Sequence, residues 1–133
     1  MEAVAVDAWA IAGFVFGQPF AERVERWLAK ARRGEVVLAM TTVNWGEVVY
    51  NVAQRAPLAV EAVIADIDRI PVELMPVDRR LATLAARLKA ERRLDYADSF
   101  AAALAIALDA PLLTGDPHFR ELLPELRLEW VGE

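Results

Sequence analysis

The sequence predicts an α/β fold, a three-layer α/β/α sandwich built on a mostly parallel sheet of four to five strands. Short runs rich in valine and leucine alternate along the chain with longer segments that repeat apolar residues at helical spacing. Parallel strands need long, usually helical crossover connections, and the alternation provides them. With 133 residues and no cysteine, the chain is expected to form one domain over residues 1–133 and to fold by packing alone.

The first strand is predicted over residues 2–7, a short valine-rich run that ends at Asp7 and is followed directly by a helical pattern. A second, amphipathic helix begins near Phe20, because apolar residues recur there at positions 0, +4, +7, +8 and +11 with charged residues between them. Gly34 is the type of residue that ends such a helix. The first carboxylate therefore follows the first strand directly.

The rest of the chain continues this alternation. The further strands are short apolar runs, and several of the helices begin at asparagine, aspartate or proline, which are common at helix starts. The predicted order is a strand over 36–40, a helix from Asn44 to about Gln54, a helix from Pro57 to Arg69, a short strand in VELMPV, helices from about Asp78 to Arg92 and from Asp95 to Leu108, a strand in PLLTG, a short helix from Pro117 and a last strand near RLEWV. Ligands of such sheets bind at the carboxyl ends of the strands, near the point where the strand order reverses.

Composition excludes several classes of function. Without cysteine the chain has no thiolate nucleophile and no cysteine-zinc site, and its single histidine excludes catalysis by two histidines. The net charge of -5 argues against tight, nonspecific binding of nucleic acid unless the acidic residues gather at one site and bind metal. The hydrophobic content of 56% indicates an apolar surface for a partner or for self-association.

Neither a signal peptide nor a membrane span is predicted. The first residues lack a basic stretch, and the longest uncharged run, over residues 8–21, is interrupted by glycine and proline. We therefore expect a cytoplasmic protein that does not associate with a membrane.

Four acidic residues are the candidates for chemistry, and each also has a structural interpretation. Asp7 and Asp116 precede helices and could act as N-caps. Glu47 follows Asn44 by three residues, as in a capping box. Asp98 lies in the first turn of a helix, where the helix dipole favours negative charge.

The surroundings of these acids favour a shared site. Asp98 lies on a helix face of small alanines, and Glu47 is flanked by apolar residues, so an unpaired carboxylate would be costly at either place. No lysine or arginine lies within residues 35–53 or 96–116 to neutralise them. A divalent metal ion is the simplest common partner for all four acids.

Clustered carboxylates are the ligands that Mg²⁺ and Mn²⁺ prefer in proteins. Two such ions would activate water and stabilise the leaving oxygen during displacement at phosphorus, so that no protein nucleophile is needed. Thr114 lies two residues before Asp116 and is a secondary candidate, able to hydrogen-bond water at the metal. The sequence therefore predicts catalytic, metal-binding roles for Asp7, Glu47, Asp98 and Asp116.

Four motifs, VAVDAWAIAGF, TTVNWGEVVYNV, LDYADSFAAALAIAL and LLTGDPHF, together resemble PIN-domain proteins, most closely the VapC-type toxin ribonucleases of toxin–antitoxin pairs. The resemblance covers essentially the whole chain. Carried over position by position, it implies that Asp7, Glu47, Asp98 and Asp116 hold the divalent ions. One departure is Trp9, which stands where the family commonly has a small hydroxyl residue or asparagine.

The resemblance implies a PIN-like fold and Mg²⁺- or Mn²⁺-dependent endonucleolytic cleavage of RNA that leaves a 3′-hydroxyl and a 5′-phosphate. It also implies a homodimer that is inhibited by a cognate small antitoxin protein. The alternative is a catalytically inactive PIN-like module that binds protein and uses its acids as helix caps. A phospho-acceptor receiver domain and a haloacid-type phosphatase are excluded, because the first lacks its paired acids before Asp7 and the second has Trp9 in place of its second aspartate.

Overall fold

The computed structural model describes residues 2–133, which form five strands and seven helices in regular alternation. The strands are β1 (Glu2–Val6), β2 (Val36–Thr41), β3 (Val72–Met75), β4 (Leu112–Thr114) and β5 (Leu128–Trp130). The helices are α1 (Ala8–Val15), α2 (Ala21–Arg32), α3 (Thr42–Arg55), α4 (Val60–Ile67), α5 (Arg79–Arg92), α6 (Tyr96–Ala107) and α7 (Pro117–Leu122). None of the helices within residues 2–133 is both long and apolar enough to cross a membrane.

The five strands form one sheet in the order β3-β2-β1-β4-β5, and every neighbouring pair is parallel. The predicted α/β class and the parallel sheet are therefore confirmed. Strands β2 and β3 lie on one side of β1, and β4 and β5 lie on the other, so the strand order reverses between β1 and β4. Val6 and Leu113 pair at this point. The residues that follow these two strands consequently lie side by side, where ligands of such sheets bind.

Each face of the sheet is covered by its own apolar cluster. The β1 side chains alternate, so that Ala5 packs under α5, α6 and α7 while Val4 and Val6 pack against the side that holds α1 and α2. Helix α6 is buried over residues 99–105, and five of these are alanines or leucine. Small side chains on both α6 and the strand beneath it let the helix backbone lie close to the sheet, which fixes the position of its first turn.

Two predicted helix boundaries are wrong. Asn44 does not begin the third helix. Instead Thr41, the last residue of β2, caps it, and its Oγ1 accepts the backbone N–H of Asn44 at 3.0 Å. Strand β2 runs into α3 without a loop, so the residue that caps the helix is also the last residue of an apolar strand. The capping box proposed for Glu47 is therefore wrong as well. The helix predicted from Pro57 to Arg69 is a short 3₁₀ turn followed by the separate helix α4.

Candidate metal site

The four predicted carboxylates meet at the carboxyl edge of the sheet. Asp7 follows β1, Asp116 follows β4 by two residues, Glu47 lies on the helix that begins where β2 ends, and Asp98 lies in the first turn of α6. Burial, and after it repulsion from neighbouring acids, raises the pKa of Asp7, of Glu47 and of Asp98. Residues that are far apart in sequence therefore form one acidic cluster.

Asp7 is held rigidly inside this cluster. Its side chain is only 2% exposed, and Oδ1 accepts the backbone N–H of Ala10 at 2.9 Å while Oδ2 accepts the Thr114 hydroxyl. Burial raises the pKa of Asp7 to about 8 against the opposing effect of these two hydrogen bonds, and repulsion from Asp98 and Asp116 adds to the rise. The cap interpretation of Asp7 is thus correct and does not exclude a second role.

Asp98 and Glu47 lie in similar electrostatic surroundings. Burial, followed by repulsion from Asp116, Glu47 and Asp95, raises the pKa of Asp98 to about 7, and His118 acts in the opposite direction. Burial, followed by repulsion from Asp95 and Asp116, also raises the pKa of Glu47. No lysine or arginine is among the groups that shift either pKa. His118 is therefore the one basic side chain among the groups that shift these two pKa values.

Three ligand groups lie near enough to share one ion. Atoms of Asp98, Asp116 and His118 all lie within 4.8 Å of one another, and His118 Nδ1 lies 3.2 Å from Asp116 Oδ1. Glu47 lies outside this set of three but repels Asp98, and Asp98 and Asp116 in turn repel Asp7. Carboxylate oxygens suit Mg²⁺ or Mn²⁺, so the carboxylates of Asp98 and Asp116 fit such an ion. His118, in the first turn of α7, is not among the residues that the sequence predicts for the site, because a histidine two residues after Asp116 has no spacing signal of its own.

Thr114 organises two of the acids. It is fully buried, donates its hydroxyl to Asp7 Oδ2 and accepts the backbone N–H of Asp116 at 3.0 Å. The sequence predicted a hydrogen bond to water for this hydroxyl, but its proton is directed to Asp7. Thr114 therefore fixes Asp7 relative to the loop that carries Asp116.

Asn44 and Asp95 are two further residues of the site that the sequence did not reveal. Asn44 is buried, and its Nδ2 donates to the Ala97 carbonyl at 2.9 Å, which ties the start of α3 to the residue before Asp98. Asp95 precedes α6 without capping it and acts on Glu47 and Asp98 through its charge. The spacing of Asn44 and Glu47 predicts a capping box instead, because an asparagine three residues before a glutamate is typical of a helix start.

Trp9 packs beside the acids. Its ring stacks on Phe20 with centroids 4.0 Å apart and planes 13° from parallel. A methyl group added at Gly115 would overlap the Trp9 ring and press against Gly132. The indole and Gly132 thus enclose the turn between Thr114 and Asp116.

We expect the Gly115→Ala substitution to lower the free energy of unfolding by about 1–3 kcal/mol, because the added methyl must displace Trp9 or backbone. The matched control is Gly46→Ala. Gly46 lies inside α3 with open space around it, so alanine there should raise the free energy of unfolding by about 0.5–1 kcal/mol. Urea denaturation of both variants measures the difference. Equal stability of Gly115→Ala and the parent protein would show that Trp9 does not confine this turn.

Comparisons with known proteins agree with this architecture. The PIN domain family model matches residues 4–122. The VapBC complex of Salmonella typhimurium bound to DNA aligns with a TM-score of 0.73 and 19% identity over 98% of this chain and 99% of that chain. VapBC2 of Rickettsia felis, bound to a fragment of its promoter, aligns with a TM-score of 0.70 and 19% identity over 96% and 97% of the two chains.

A third similar structure is VapC20 of Mycobacterium tuberculosis, described as a toxin that cleaves the sarcin–ricin loop. It aligns with a TM-score of 0.64 and 18% identity over 80% of this chain and 84% of that chain. No curated protein matches the chain in sequence. At these identities the solved structures share the fold, whereas the family model spans nearly the whole sequence, and the chain belongs to the PIN-domain family.

Proposed function

We propose that the protein is a metal-dependent endoribonuclease, the toxin component of a VapBC-type toxin–antitoxin pair. The observation that carries the proposal is the meeting of four carboxylates at one edge of the sheet, two of them with a pKa near neutrality and with no lysine or arginine among the groups that shift that pKa. Such a cluster favours a divalent cation and an anionic substrate drawn to it. Membership in the PIN-domain family and the VapBC complexes among the similar structures support this function.

Asp7, Glu47, Asp98 and Asp116 would hold Mg²⁺ or Mn²⁺. When bound, such an ion makes water nucleophilic near neutral pH and neutralises charge on the phosphodiester. The chain itself holds the carboxylates in place. Ala10 and Thr114 orient the Asp7 carboxylate through hydrogen bonds, and Asn44 links the helix that carries Glu47 to the helix that carries Asp98. His118 stands beside Asp116, where it is able to contact a phosphate oxygen.

The Thr114→Val substitution tests this positioning. Valine has nearly the same shape but leaves the Asp116 N–H and Asp7 Oδ2 without their partner, and it removes a hydrogen bond that favours the ionised form of Asp7. We expect Mn²⁺ to bind about 10–100-fold more weakly, as measured by isothermal titration calorimetry. Thr114→Ser keeps the hydroxyl and should bind Mn²⁺ as the parent protein does. Parental affinity in Thr114→Val would contradict the positioning role.

The partners follow from the same proposal. RNA is the substrate, and a cognate small antitoxin covers apolar surface of the toxin and brings a basic side chain towards the acids. Large apolar side chains that are exposed on the described residues offer such a surface: Val43, Tyr50, Leu58, Leu74, Tyr96 and Ile106. The protein is also proposed to form a homodimer and to act in the cytoplasm. VapBC complexes among the similar structures support the antitoxin.

The decisive experiment is to incubate the purified protein with a panel of structured RNAs, with Mg²⁺ or Mn²⁺ and with EDTA as control. Cuts that need metal and disappear in EDTA would support the nuclease and identify its target. Absence of both cutting and Mn²⁺ binding would overturn the proposal in favour of an inactive PIN-like module that binds protein.

A further inference from the structure

Helix α5 and its C-cap residue Arg93 form a strongly basic segment in an acidic protein. Residues 79–93 hold six of the 15 lysine and arginine residues but only one of the 20 aspartate and glutamate residues. The segment therefore has a formal charge of +5, whereas the rest of the chain has -10 out of a total of -5. Such a separation of charge directs an anionic partner to one surface and repels it from the others.

Most of this positive charge is not used inside the molecule. Four arginines of the segment are exposed and form no salt bridge with any carboxylate of the described residues 2–133: Arg79, Arg80, Arg87 and Arg93. The other two basic residues are engaged, since Lys89 donates to the Leu94 carbonyl at 3.2 Å and Arg92 pairs with Glu125. We call the four unpaired arginines the α5 basic face, and their charge is available to a partner.

The stability of the helix does not explain where these arginines lie. Arg79 and Arg80 occupy the first turn of α5, where the helix dipole disfavours positive charge. The backbone of Arg93 is left-handed, with φ of 60°, a conformation that favours glycine at the end of a helix. Side chains kept at unfavourable positions indicate a role in binding.

The α5 basic face extends away from the acidic cluster along one helix. Only Arg93, Leu94 and Asp95 join α5 to α6, and Leu94 is fully buried, so the two helices form a tight hairpin. The last turn of α5 consequently lies beside the first turn of α6, which carries Asp98. At 1.5 Å per residue the opposite end of the face is about 20 Å away. An anion that lies along α5 therefore has one end near the site.

We infer that the α5 basic face binds the phosphate backbone of a paired RNA stem that adjoins the segment to be cut. The inference rests on the proposed function and adds a contact surface outside the acidic cluster. Residues 79–93 contain no aromatic side chain that could stack on an unpaired base, and Thr83, Ala86 and Ala90 are the small exposed residues between the arginines. Single strands are bound through aromatic stacking, whereas duplex RNA is recognised by its shape and its backbone. A rigid stem also spans the length of the helix.

The test measures binding of a duplex in the absence of metal, so that the acidic cluster does not contribute. A fluorescein-labelled, blunt RNA duplex of about 16 base pairs is titrated with protein in EDTA, and anisotropy reports the affinity. Arg80 and Arg87 lie seven residues apart and share one side of the helix. We expect the double variant Arg80→Gln/Arg87→Gln to weaken binding at least about tenfold and to reduce the dependence of log K on log salt by about 2.

The matched control is the double variant Arg26→Gln/Arg69→Gln, which changes the net charge of the protein by the same amount. Both arginines are exposed and form no salt bridge with the described residues. Arg26 lies on α2 and Arg69 follows α4, and these helices cover the other face of the sheet. The control should bind the duplex as the parent protein does. An equal loss in both double variants would mean that net charge alone governs binding and would overturn the inference.

A second arm compares anions. Labelled oligouridine and poly-glutamate, each with as many charges as the duplex, should bind at least about fivefold more weakly, because the first lacks a rigid backbone and the second lacks phosphate. Parental affinity in Arg80→Gln/Arg87→Gln or tighter binding of oligouridine would overturn the inference. Poly-glutamate that binds as tightly as the duplex would also overturn it and would favour an acidic protein segment as the occupant.

Failure of the inference can be distinguished from failure of the proposed function. If the parent protein cuts RNA in Mn²⁺ but binds the duplex no more tightly than Arg80→Gln/Arg87→Gln does, only the assignment of the α5 basic face is wrong. If the parent protein neither cuts any RNA nor binds the duplex, the ribonuclease function is wrong and the stem contact with it.

Discussion

Asp98→Asn should reduce the rate of metal-dependent RNA cleavage by at least about a hundredfold, since loss of groups that only support metal ligands already has effects of 10–100-fold. Asparagine keeps the shape of the side chain but lacks the negative charge that the cation requires. Asp98 lies where Asp116 and Glu47 both act on it, so its replacement removes a carboxylate from the middle of the cluster. Glu47→Gln and Asp7→Asn should abolish cleavage in the same way.

Gel assays of RNA cleavage measure this effect, and circular dichroism with Mn²⁺ calorimetry separates loss of the ligand from loss of the fold. The control is Asp66→Asn on helix α4, an equally conservative change at an exposed acid that belongs to no part of the site. It should cut RNA at the parental rate. Parental cleavage by Asp98→Asn would remove that residue from the catalytic set.

Asp7→Asn should make the metal-free protein more stable at pH 8, by up to about 5 kcal/mol from the change in pKa, even though it should abolish activity. The pKa of Asp7 is raised to about 8 in the folded protein from an ordinary value of 3.8. The folded state therefore binds the proton more tightly than the unfolded state, and stability is lost as the pH rises from about 4 through 8. Asparagine does not titrate, retains an oxygen for the Ala10 N–H and is an equally good helix cap.

Urea denaturation in EDTA at pH 5 and at pH 8 measures the difference between the two proteins. The advantage of Asp7→Asn should be about 1–2 kcal/mol at pH 5 and should grow as the pH rises to 8. Saturating Mn²⁺ should then stabilise the parent protein more than the variant, because only the parent retains the carboxylate at this position. A variant less stable than the parent in EDTA at pH 8 would show that ionised Asp7 is stabilised by groups other than a metal.

Much of this architecture can be predicted from the sequence because it depends on local patterns. Short apolar runs predict the strands. Asp7 and Asp116 follow β1 and β4 within two residues, and they lie close together because neighbouring parallel strands end at the same edge of the sheet. The quartet of acids was identified by this reasoning together with the motifs. Its role in holding metal stays a prediction.

The features that the sequence did not reveal depend on how helices cross. Asp95 and Asn44 belong to the site because the starts of α6 and α3 lie close together. The spacing of residues along the chain does not predict that contact. The same holds for the Trp9–Phe20 stack, which joins α1 to the residue before α2. Thr41 was missed as a helix cap because it is also the last residue of a strand.

Asp7 and Asp116 each begin a helix and each face the acidic cluster, so their chemistry and the folding of the chain share the same atoms. This joint use limits how the protein can lose activity by mutation. Alanine at either position removes a negative charge and a helix cap together, and loss of the cap lowers the free energy of unfolding by about 0.5–2 kcal/mol. Asparagine removes the charge and keeps the cap. A lineage under pressure to silence this protein while retaining its shape, for example to keep a partner bound, therefore has an amide as its simplest route at these two positions.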